Sequence, residues 1–167
     1  MSDAVEKVAQ ATRQRAAVYA HLLGVLRQRI GEEEAISAMS DAIYTHGKEK
    51  SEKGYSPAAR SGDLMQAAKE FASPDPVKQY QFAPRVVSAT GEEVVIAMSR
   101  CPLVDQWKEM GLPPEEVSLL CRIARSVDFG TWEGALGGSL RFDGTRGEGK
   151  DECILRVRKA GASRSQG

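Results

Sequence analysis

Three thiols and one carboxylate are the groups in this sequence with the chemistry and placement to form a site. Cys101 opens the run "CPLVDQWKEMGLP", Cys121 sits within "LLCRIARSVD", Asp128 follows it by seven residues, and Cys153 closes "GEGKDEC". A thiolate is a nucleophile and a soft metal ligand, and a carboxylate with a raised pKa is a general acid or base. Seven residues span about two helical turns, so Asp128 falls near the face of Cys121, one end later. Cys101 is expected where a strand gives way to a helix. The free amides there can lower its thiol pKa, or the residue is a small buried hydrophobe sealing the turn. Cys121, between Leu119, Leu120 and Ile123, has the neighbours of a core position. If the last hairpin packs beside its helix, the three thiols and Asp128 converge.

Convergent thiols suit zinc, but structural zinc sites bring their ligands in close pairs such as Cys-x-x-Cys, and this chain has none. The expectation is therefore no metal and no cofactor. His21 and His46 fall in or at the end of helices, where solvated or capping roles suffice. No G-x-S-x-G elbow occurs, and "GTRGEGK" lacks the spacing of a phosphate-binding loop. Arginines gather around the thiols: Arg100, Arg122, Arg125, Arg141 and Arg146. A guanidinium fork matches a substrate carboxylate through two parallel hydrogen bonds. Trp107 reads as core, and Trp132 as core or pocket wall.

Composition narrows the partners. The 167 residues carry 23 Lys plus Arg against 23 Asp plus Glu, so no net field gathers nucleic acid or an anionic membrane. No apolar run approaches the roughly 20 residues of a membrane span, and Asp3 stands where a signal peptide would be basic. The reading is a cytoplasmic protein with reduced thiols, no nucleic acid and no membrane. Three widely spaced cysteines do not make a disulfide framework.

The elements that must position these groups follow from apolar spacing. Apolar residues at threes and fours predict a helix over Asp3–Ile30, closed by Gly31, then a second helix with glutamates in its first turn that Gly47 ends or frays. Residues 48–62 have no apolar period and read as a mobile loop. "GDLMQAAKEFAS" predicts a third helix that "SPDPVK" stops. "VKQYQFAPRVVSATGEEVVIAMSRC" predicts a β-hairpin, its first arm demoted by Pro84 to an edge strand or bulge. Two short helices follow, with Pro102 and Pro114 suited to their first turns, and then a second hairpin of "GGSLRF" and "CILRVRK". The fold class is α+β, N-terminal helices followed by two β-hairpins in a mainly antiparallel sheet, separated by a helical hairpin. The expected domain is 1–160, with a helical half at about 1–73, a ββααββ half at about 77–159, and a disordered tail at 161–167.

These motifs, in this order and spacing, resemble the L-2-amino-thiazoline-4-carboxylic acid hydrolase-like family of small bacterial proteins. "RCPLVDQWKEMGLP", "LLCRIARSVD" and "GEGKDECILRV" carry the likeness, with "YAHLLGVLRQRIGEEEAISAMSDAIYTHG" similar to the family's helical half, so it spans about Ala16 to Val157. The resemblance implies a small-molecule substrate, a cyclic isothiourea bearing a carboxylate, and a hydrolytic ring opening at a C–N bond. It nominates Cys101, Cys121, Asp128 and Cys153 as the catalytic positions: Asp128 as acid or base, Cys121 or Cys153 as nucleophile. Arg141, Arg122 and Trp132 are the expected substrate-binding residues. A non-catalytic sensing domain for a small molecule or metal uses the same pocket, and a helix-mediated partner-binding protein uses the long first helix. A homodimer through that helix is compatible with all three.

Overall fold

The computed structural model describes residues 3–161. All of the expected disordered tail at 161–167 except its first residue lies outside the described residues. Helix α1 (Asp3–Ile30) has the expected bounds, but its buried stripe is narrower than its apolar content. Val5, Ala9, Ala16 and Leu23 are buried, whereas Val18, Leu22 and Val25 remain exposed. The close approach allowed by Ala16 brings its carbonyl within 2.7 Å of Trp107 Nε1, which donates to it. Gly31, at φ 85°, turns the chain into α2.

Helix α2 (Glu32–Gly54) runs past the expected stop at Gly47 and through much of the expected loop. Its buried residues are Ala35, Met39, Ile43, Gly47 and Ser51, one every fourth position. The stripe never breaks; its last members are small rather than apolar, and the intervening Lys and Glu are good helix formers. Ser56 then caps the short α3 (Pro57–Arg60), and Asp63 caps α4 (Leu64–Phe71) by accepting from the Gln66 amide. The predicted first arm of the hairpin is half helical. Asp75 accepts from the Lys78 amide and Pro76 fits a first helical turn, so Pro76–Gln81 forms α5 and the strand waits until Pro84.

Strands β1 (Pro84–Ala89) and β2 (Glu93–Met98) form the first hairpin, with a bulge between Val86 and Ser88 on the edge strand β1. Helices α6 (Pro102–Glu109) and α7 (Pro114–Ala124) follow. After Arg125 the chain makes one further α-turn, α8 (Ser126–Phe129), and then widens into a π-helical segment over Gly130–Ala135, which apolar spacing does not signal. Strands β3 (Gly138–Gly144) and β4 (Cys153–Lys159) complete one antiparallel sheet in the order β1-β2-β4-β3. Both hairpins thus share a sheet, with β2 and β4 paired at its centre.

Two apolar clusters result. One joins α1, α2, α6 and α7 around Leu23, Trp107 and Leu120; the other joins α3, α4 and the π-helical segment to the sheet around Ile96, Trp132 and Leu155. The opposite face of the sheet carries an ionic lattice in which Glu93 bridges Arg156 and Arg158, and Asp143 bridges Arg141 and Arg156. No helix among the described residues is long and apolar enough to cross a membrane.

Candidate functional site

A cavity of about 440 Å³ opens where the two apolar clusters meet. Its walls come from both: Ile43, Leu103, Val104 and Trp107 from the helical cluster, Phe71, Met98, Phe142 and Cys153 from the sheet cluster. Cys101, Cys121, Asp128 and Cys153 all line it. The thiols come from three separate elements: Cys101 sits at the start of α6, Cys121 in α7, and Cys153 at the start of β4.

One short turn holds two of the thiols. After β3 the chain makes a single 3-10 turn over Arg146–Glu148, closed by a capping box in which Thr145 and Glu148 exchange hydrogen bonds. The Arg146 amide donates to Cys153 Sγ at 3.3 Å, and Thr145 and the Gly147 amide interact with the Cys121 thiol. Gly147 is required there, since a Cβ would overlap the Cys121 side chain. The Arg146 guanidinium pins the turn by donating to the Ser99 and Asp151 carbonyls at 2.9 Å each.

The thiols are not activated. Burial pushes Cys101 up to about 12, outweighing the lowering by the amides of Val104 and Leu103, so of the two readings of this residue the activated thiol is the one disfavoured. Burial likewise pushes Cys153 up to about 11 and raises Cys121. All three are free and protonated near neutrality. Among the described residues no group of three or more His, Cys, Asp or Glu side chains is placed to hold a metal ion.

Asp128 behaves differently. It sits in α8, flanked by two close backbone approaches to α2: a Cβ on Gly47 would overlap the Val127 carbonyl, and one on Gly130 would overlap the Tyr44 carbonyl. Burial raises its carboxyl pKa to about 7, with Lys50 and Arg125 holding the rise back. Among the described residues no hydrogen bond reaches that carboxyl, while its own amide donates to the Arg125 carbonyl at 2.9 Å. Tyr55 beside it is raised in turn, by burial first and by the Asp128 charge second.

The expected substrate-binding residues lie elsewhere. Leu140 and Phe142 face the interior, so the alternation of β3 sends Arg141 to the opposite face, where it pairs with Asp143 at 2.9 Å. Arg122 is exposed on α7 and does not line the cavity. Trp132 is fully buried in the sheet cluster, stacked obliquely on Phe71 at 5.5 Å between centroids, so it backs a wall residue rather than forming the wall. The arginine that does line the cavity near Asp128 is Arg125, seated 5.1 Å over the Phe142 ring, with no ion-pair partner among the described residues. Arg15, Arg100, Lys50, Lys78 and His46 also line the cavity, and Asp128 and Glu70 are its carboxylates. Arg100 and Arg125 were among the arginines the sequence singled out; Lys50 was hidden in the supposed loop.

A family model described as L-2-amino-thiazoline-4-carboxylic acid hydrolase matches residues 11–157. The chain belongs to this family. No curated protein sequence matches it. Among solved structures it is similar to a trafficking protein particle complex subunit 3 from Naegleria fowleri, covalently bound to palmitic acid. That match has 18% identity and a TM-score of 0.57, covering 89% of this chain and 94% of the other. It is also similar to the phenol-responsive sensory domain of the transcription activator PoxR with phenol, at 13% identity and TM-score 0.58, covering 92% of this chain and 76% of the other. At these identities the likeness is one of fold.

Proposed function

We propose that the chain hydrolyses a small carboxylate-bearing heterocycle of the 2-aminothiazoline-4-carboxylate type, opening a ring C–N bond within this cavity. The observation that carries the reading is Asp128, a carboxyl without a hydrogen-bonding partner among the described residues, lining the cavity with a pKa of about 7. Near neutrality such a group is populated in both forms, as a base that must become an acid requires.

In the proposed reaction Asp128 takes a proton from water as its oxygen adds to the ring carbon between sulfur and nitrogen. Asp128 returns that proton to the ring nitrogen. It takes the second proton from the added hydroxyl as that oxygen becomes the carbonyl of the product, and passes it to the same nitrogen, so that the C–N bond breaks to a primary amine while the C–S bond stays. Arg125 holds the substrate carboxylate through its fork, taking the role expected of Arg141. The protonated thiols favour water over Cys121 or Cys153 as the nucleophile and leave the cysteines as neutral walls.

The test is turnover of 2-aminothiazoline-4-carboxylate, followed by release of the primary amine, with wild type and Asp128→Asn. The reading expects a loss of about a hundredfold or more in the variant. Equal rates in both proteins would remove Asp128 from the chemistry. A second reading, a sensing domain that binds without turnover, is favoured by the fold shared with the phenol-responsive domain, and it expects binding with no amine release by either protein.

A further inference from the structure

We infer that the cavity accepts an amphipathic carboxylic acid whose apolar body is larger than a thiazoline ring. At about 440 Å³ the space falls in the range of roughly 300–1,000 Å³ that encloses drug-sized ligands, whereas the ring named by the family is a far smaller molecule. Most of the lining surface is apolar: Phe71, Phe82, Leu103 and Trp107 contribute to it, and none of these side chains offers a polar atom free to hold water, since the Trp107 N–H is already given to the Ala16 carbonyl. Water against those four side chains gains few partners, and apolar surface replacing it gains burial.

The charge around the apolar space selects the other end of the ligand. Arg15, Lys50, Arg100 and Arg125 line the cavity, and of its two carboxylates Glu70 is already engaged by the Ser56 hydroxyl and amide and by Gln66. Arg125 is the best placed of the four, because its guanidinium rests 5.1 Å over the Phe142 ring, which holds it without neutralising it. A single carboxylate meets that fork while an alkyl or aryl body extends along the apolar wall. The inference rests on the proposed reading for the carboxylate head and uses none of the proton transfer assigned to Asp128.

Calorimetric titration of the full chain with straight-chain carboxylates from acetate to decanoate, each below its micelle concentration, tests it, with primary alcohols of matched length as uncharged controls. The expected result is affinity rising up to about fourfold per added methylene and levelling off once the space is filled. Acids should bind more tightly than alcohols of the same length, and Arg125→Gln should erase that difference while keeping the dependence on length. Affinity independent of chain length, affinity that climbs without levelling, or equal binding of acids and alcohols by the wild type would each overturn the inference. The two proposals fail separately. Aminothiazoline turnover with flat chain-length behaviour leaves ring opening standing and removes the larger ligand; a length-dependent gradient without turnover does the reverse.

Discussion

Gly47 and Val127 are in backbone contact so close that any side chain on the glycine would overlap the Val127 carbonyl oxygen. The next residue is Asp128, and two residues beyond it Gly130 repeats the arrangement against Tyr44. The carboxyl is therefore held between two points at which α8 and the π-helical segment rest directly on the α2 backbone. A rigid seat of this kind is what a proton-transferring group needs if its distance to substrate is to be kept within a fraction of an ångström.

Gly47→Ala should accordingly damage both stability and turnover. Backbone cannot yield as the end of a flexible side chain can, so α8 must move away, at a cost of about 1–3 kcal/mol. Urea denaturation measures the first effect. The second appears as a lowered kcat with KM little changed, because Arg125 lies before the displaced turn. A variant with wild-type stability and kcat would show that the contact relaxes without moving Asp128.

Arg125→Gln and Arg141→Gln separate the two candidate anchors. Losing a guanidinium that holds a carboxylate should weaken substrate binding by roughly 10- to 100-fold. KM should rise in Arg125→Gln, while Arg141→Gln, which touches only the ionic lattice on the far face of the sheet, should leave it unchanged. The opposite pattern would return the role to Arg141.

Cys121→Ser tests whether the thiol is wall or nucleophile. The side chain packs against Gly147 and beside Thr145, so a more polar hydroxyl should lower stability by about 1 kcal/mol and leave turnover within a few-fold of wild type. Unchanged melting with turnover abolished would instead make Cys121 the attacking group.

Much of this architecture is legible in the sequence where residue type and spacing agree. The bounds of α1 and β4, the prolines that open α6 and α7, and the bulged edge strand at Pro84 all follow from local rules. The failures have physical causes. Helix α2 continues a four-residue stripe through Gly47 and Ser51, but small residues chosen for close approach look like a break to any test based on hydrophobicity. Asp75 followed by Pro76 marks a helix start as clearly as it marks the end of the preceding one, and the expected hairpin arm follows from the second meaning alone. The expectation for the thiols and Asp128 follows from motif order, which carries information on shared position. The expected arginines follow only from proximity in sequence, and for Arg141 the alternation of Leu140 and Phe142 points it away from the interior.

The stability of the protein should fall as pH rises from about 4 to 7, and Asp128 should be the cause. In the unfolded chain its carboxyl titrates near the ordinary value of 3.8; in the folded protein burial holds the proton until about pH 7. Between those values the native state binds the extra proton, so stability decreases with pH and the penalty is fully developed above pH 7. The other shifted carboxylates act in a different window. Glu70, Glu93, Asp143 and Glu152 are lowered by hydrogen bonds and arginines, so the stability they contribute is present above their unfolded values and is lost only as pH drops through their folded ones. Unfolding measured in urea at pH 5 and pH 8 therefore isolates Asp128. Wild type should be less stable at pH 8, and Asp128→Asn, which keeps the shape and cannot ionise, should be nearly flat over the interval and more stable than wild type at pH 8, by an amount on the order of a few kcal/mol. The pH at which the wild-type decline levels off should coincide with the pH at which turnover begins to depend on a protonated group, since the folded-state titration of one carboxyl governs both. A wild-type protein equally stable at the two pH values would mean that Asp128 is ionised in the folded state, and with that the case for it as acid and base is lost.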